Sequence, residues 1–78
     1  MKIRFLLHAR QRMEAYNVDE EMVRRAVLNP DRILPGHAGR RIAQKKLDGY
    51  VLRVVYEEQS SQTIVVTVYK ARRERYEV

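Results

Sequence analysis

The apolar residues change their period near Asn29-Pro30, and that switch limits the fold more than any other feature of the chain. Before it, Ala9, Met13 and Tyr16 recur at i, i+4 and i+7, which gathers them on one side of a helix over about residues 8–16. Asn17 tolerates the left-handed conformation that ends helices. Asp19 is a good N-cap for a second helix over about residues 19–29, and Glu20 and Glu21 suit the positive end of its dipole. Met22, Val23, Ala26 and Val27 form its apolar stripe, with Arg24 and Arg25 outward, and Asn29-Pro30 stops it. Ile3 to Leu7 fits either a short strand or the lead-in to the first helix.

After the switch the pattern is that of strands. Pro35-Gly36 marks a turn, and Arg40 to Leu47 has a weak strand pattern. Asp48-Gly49 is a strong two-residue hairpin signal. Tyr50 to Glu57 and Thr63 to Ala71 are rich in Val, Ile, Thr and Tyr, with the polar loop Glu58 to Gln62 between them. The prediction is one α+β domain over residues 1–78, with two N-terminal helices packed on one face of a three- to four-stranded antiparallel meander sheet. Alternation turns Leu52, Val54 and Tyr56 inward with Ile64, Val66 and Val68. Arg53, Thr67 and Tyr69 then share the open face with Val51, Val55 and Val65, and a one-residue slip at either turn would reverse a partner strand.

Composition enters through charge. Sixteen Lys and Arg face ten Asp and Glu in 78 residues, a formal charge of +6 and a pI near 10.1. Such a balance speaks of polyanionic partners, phosphate backbones first, rather than of fold. With no cysteine, disulfides and thiolate metal sites are excluded, which suits a reducing cytoplasm. The apolar run at Ile3–Leu7 is broken by Arg4 and is too short for a signal-peptide core, and no window has the length of a membrane span.

Two basic runs stand out. Arg40, Arg41, Lys45 and Lys46 precede the hairpin; Lys70, Arg72, Arg73 and Arg75 follow the last strand, flanked by Tyr69 and Tyr76. Arg grips phosphate through paired hydrogen bonds, and tyrosine rings stack on bases. The bland alternative is an edge strand protected by cations and a solvated tail. His8 and Arg12 stand at i, i+4 beside the Ala9/Met13 stripe, where an imidazole could exchange protons and a guanidinium could neutralise a phosphorane-like transition state. The competing reading is that His8 merely packs the helix start. His37, in Pro-Gly-His-Ala-Gly, reads as a surface turn residue. No His/Asp/Glu set has metal-ligand spacing, so neither metal nor other cofactor is expected.

The segment His8-Ala9-Arg10-Gln11-Arg12-Met13, followed by a second helix ending in Asn29-Pro30, the basic strand Arg40–Lys46 and Thr67-Val68-Tyr69, resembles a small bacterial family known as a domain of unknown function. That family is similar in layout to RelE-like and BrnT-like toxins of the barnase/EndoU/colicin/RelE ribonuclease superfamily. The resemblance implies metal-independent RNA cleavage, in which a ribose 2′-hydroxyl attacks the adjacent phosphate. It implies His8 as acid/base, Arg12, Arg41 and Arg53 as phosphate binders, and Tyr69 as a stacking or orienting group. Arg40, Lys45, Lys46, Lys70, Arg72 and Arg73 would hold the RNA backbone. The expected partners are RNA, free or on a ribosome, and an acidic antitoxin over the basic face. A non-catalytic nucleic-acid module, or a domain that docks an acidic protein, are the rival readings.

Overall fold

The computed structural model describes residues 2–76. Strand β1 (Lys2–Phe5) leads into helix α1 (Leu7–Tyr16), which ends on Asn17 in the left-handed region at φ 56°. Helix α2 (Glu20–Leu28) starts where the Asp19 carboxylate accepts the Met22 amide hydrogen, the cap that the sequence predicts. Strands β2 (Arg32–Pro35), β3 (Arg41–Leu47), β4 (Tyr50–Gln59) and β5 (Gln62–Arg72) follow. Short 3-10 turns occupy His37–Gly39 and Arg73–Arg75.

The architecture is α+β, but the sheet departs from the expected antiparallel meander of three or four strands. It has five strands in the order β1-β5-β4-β3-β2, and β1 runs parallel to β5. Two-residue turns force neighbouring strands to run antiparallel, as at Asp48-Gly49 and at Ser60-Ser61. No such constraint acts on β1, which reaches β5 from the far end of the sequence and takes its unpaired edge. Four residues are too few to announce that pairing in a hydrophobic pattern. The same holds for β2, which zips Ile33 to Ala43 and Leu34 to Ile42 at the opposite edge.

One cluster of buried side chains forms the core. Helical Ala9, Met13, Val23 and Ala26, with Val18 from the interhelical turn, join Ala43, Leu52, Val54, Tyr56, Val65 and Val68 of the sheet. Leu52, Val54, Tyr56 and Val68 are therefore inward as predicted, whereas Ile64 and Val66 are not. A bulge shifts the register: Val55 pairs with Thr67, but Tyr56 pairs with Val65, leaving Val66 as the extra residue. Beyond the bulge the faces exchange, so Val65 enters the core, Ile64 turns to the reverse face, and Val66 is half-buried.

Candidate nucleic-acid interface

On the reverse face of the sheet, register partners line up across four strands. Arg32 of β2 stands opposite Gln44 of β3, Gln44 opposite Arg53 of β4, and Arg53 opposite Tyr69 of β5. Strand alternation places these four on the side away from Leu52 and Val54. The next row along the strands is Lys46, Val51 and Ala71.

Arg53 is the centre of the row. It is only 8% exposed, although it carries a permanent charge. Its Nη1 donates a hydrogen bond to the Tyr69 hydroxyl, and its guanidinium carbon lies 5.4 Å from the Tyr69 ring centroid and 4.1 Å from that of Tyr76. Its Nε, also buried, has no hydrogen-bond partner among the described residues, and none of their carboxylates lies within ion-pair distance of it. Among the described residues, two tyrosine quadrupoles and one hydroxyl, rather than a carboxylate, offset the desolvation of the cation.

Tyr76 reaches Arg53 because the chain turns back after β5. The Arg73 amide hydrogen-bonds to the Gly49 carbonyl at 3.4 Å, and the 3-10 turn carries Tyr76 over β4. Val51, between Gly49 and Arg53, is fully buried on this side. The face expected to be open is therefore partly roofed by residues 73–76. Burial pushes the Tyr69 hydroxyl above the usual phenol pKa; the Arg53 charge works against that shift, while Tyr76 adds to it. Tyr69 is thus a hydrogen-bonded phenol held in its neutral form.

Alternation splits both basic runs. Arg41 pairs with Glu58 at 2.9 Å and Arg40 with Glu57 at 3.9 Å, so carboxylates already answer two of the expected phosphate binders. Lys45 Nζ donates to the Asn29 carbonyl and so closes the C-terminal end of α2. Lys46 opposes Val51 in the hairpin-side row and so shares the Arg53 face, and it is exposed. In the second run Arg72 pairs with Glu74 at 3.7 Å, Lys70 stands opposite Leu52 on the other side of the sheet, and Arg73 is exposed. Asp31 lies among Lys45, Lys46 and Arg73. Its carboxylate pKa is held below the usual range, first by the Lys46 amide that it accepts at 2.7 Å and then by those cations.

The structure does not bring His8 and Arg12 to this row. Both are exposed on α1, whose Ala9 and Met13 enter the cluster with Val54 and Val68, while Arg53 and Tyr69 point away from that cluster. His37 is exposed in the 3-10 turn, as read from the sequence. Among the described residues no group of His, Asp and Glu is placed to hold a metal ion, and no helix is long and apolar enough to cross a membrane. Sequence reasoning missed Arg32 and Gln44, whose only signal was their register against Arg53, and it missed the return of Tyr76.

The model of a family described as a domain of unknown function, DUF4258, matches residues 5–70. The chain belongs to the DUF4258 family. No curated protein and no solved structure matches it. In this DUF4258 chain the match takes in Arg32, Gln44, Arg53 and Tyr69 but stops short of Tyr76, so the cross-strand row lies within the family region and its tyrosine roof lies beyond it.

Proposed function

We propose that this protein binds nucleic acid, RNA foremost, through the sheet face that carries Arg53. The observation that carries the reading is Arg53 itself, a buried guanidinium with no carboxylate beside it among the described residues, held in a tyrosine frame. A cation kept out of water and faced by tyrosines rather than by a carboxylate of the described residues is poised for an anion. The distribution of charge agrees. Residues 7–28, which contain both helices, hold four Arg and four acidic residues and are neutral, so the whole formal +6 lies outside the helical segment. Phosphates release counterions when such cations contact them, which makes binding steeply salt-dependent. Fluorescence anisotropy with labelled RNA over a salt series tests this. Binding that weakens with salt and falls at least tenfold in Arg53→Met supports it; equal binding by that variant refutes it.

A second reading is the toxin-type, metal-independent ribonuclease working in the cytoplasm, restrained by an acidic antitoxin that covers the same face. The Arg53–Tyr69 hydrogen bond favours it, because a neutral phenol beside a guanidinium pairs a proton donor with a phosphate clamp. His8 would then act outside that site or not at all. Cleavage of RNA, but not of the same strand with a 2′-deoxy linkage, and its loss in Tyr69→Phe, would support catalysis; intact RNA after long incubation would leave a binding module.

A further inference from the structure

We propose that the outer face of Tyr76 is a stacking platform for an unpaired base, so that the Arg53 face selects single-stranded over double-stranded nucleic acid; this rests on the reading of that face as a nucleic-acid surface. The inner face of the Tyr76 ring is taken by Arg53, whose guanidinium carbon is 4.1 Å from the ring centroid. The residue is nevertheless only half-buried, so it keeps exposed surface although one ring face is covered, and the proposed platform is the opposite face. A ring braced from behind by a cation is an oriented surface that loses little freedom when a base settles on it.

The cations around it fit a flexible strand better than a duplex. A duplex presents its phosphates on a stiff outer ridge and keeps its base faces covered, so it is met by protruding side chains. Arg53, at 8% exposure, does not protrude. A single strand can turn one phosphate inward and offer a base face to a ring at the same time. Lys46 and Arg73 are exposed and carry no ion pair with another described residue; both lie close enough to Asp31 to lower its pKa. Lys46 stands in the hairpin-side row opposite Val51, and Arg73 is tied to Gly49 of the same hairpin, where the neighbouring phosphate of a strand stacked on Tyr76 would pass.

The test uses the full chain and three labelled oligonucleotides of one sequence, about eight nucleotides long: RNA, DNA, and the RNA annealed to its complement. The expected result is at least tenfold tighter binding of the single strands than of the duplex, with quenching of tyrosine fluorescence. Tyr76→Phe keeps the preference, and Tyr76→Leu, which retains an apolar cover over Arg53, removes it; circular dichroism checks that each variant is folded. RNA and DNA that bind alike uphold the stacking platform, since both expose base faces. A duplex that binds as tightly as the single strands, or a preference that survives in Tyr76→Leu, overturns the platform while leaving the nucleic-acid surface standing. Failure of all three oligonucleotides to bind at low salt overturns both.

Discussion

The Arg53 guanidinium carbon lies over the Tyr76 ring, 4.1 Å from its centroid, although Tyr76 lies beyond the last strand and Arg53 in the middle of the sheet. The contact joins the return of the chain after β5 to a buried cation of the reverse face. It also separates stability from function in a way that substitutions can resolve.

Arg53→Met keeps the length of the side chain and removes a charge that has no carboxylate partner among the described residues. Replacing a desolvated charge by an apolar group of similar volume is often neutral or stabilising. The variant is therefore expected to melt at or above the temperature of the parent while losing nucleic-acid affinity at least tenfold. Paired thermal melts and binding isotherms check it; a variant that unfolds at ordinary temperature would show that the cation holds the fold together.

The bulge predicts an asymmetry between neighbouring residues. Leu52 is fully buried in the core cluster, and Leu52→Ala should cost about 2–5 kcal/mol. Val66, the extra residue of the bulge, is half-buried and lies outside that cluster, so Val66→Ala should cost less than about 1 kcal/mol. Urea unfolding of the two variants measures this, and a larger loss at Val66 would mean that the register runs through without a bulge.

Alkaline titration should single out Tyr69. Its folded-state pKa is raised, chiefly by burial, above that of the unfolded chain. The folded protein thus retains a proton that the unfolded chain gives up, so the contribution of this group is intact below the unfolded value of about 10 and is lost as pH rises through the folded pKa. Phenolate absorbance should show a late-titrating tyrosine that disappears in Tyr69→Phe, and the variant's stability should fall less steeply with alkaline pH. An unchanged titration curve would count against the buried hydroxyl.

Salt dependence distinguishes cations already answered by carboxylates from those that are not. Lys46→Ala should lower the slope of log affinity against log salt by about 0.7, the loss of one single-strand phosphate contact. Arg41→Ala should change it less, because Arg41 pairs with Glu58 at 2.9 Å. Equal changes would place both residues on the nucleic acid and make the ion pair a feature of the free protein alone.

The elements themselves were legible in the sequence because their causes are local. Asp19 caps α2 through its own side chain, Asn17 adopts the left-handed turn, and Asp48-Gly49 closes a two-residue hairpin. Alternation also sufficed to put Arg53 and Tyr69 on one face, since the register across β4 and β5 holds at that end. The segment Lys2–Phe5 stayed ambiguous because a strand of four residues is defined by its neighbour, here β5, more than by its own pattern.

The sequence by itself determined the charge, the two helices, the hairpins and the shared face of Arg53 and Tyr69, all of which depend on composition, period 2 or 3.6, and turn chemistry within a few residues. Only the tertiary structure decided that Val65 rather than Val66 fills the core, that Glu57 and Glu58 answer Arg40 and Arg41, that His8 stands apart from Arg53, and that Tyr76 returns to cover the guanidinium. Each of these turns on a register or a contact between segments distant in sequence. A bulge of one residue exchanges faces without changing the composition that announces the strand.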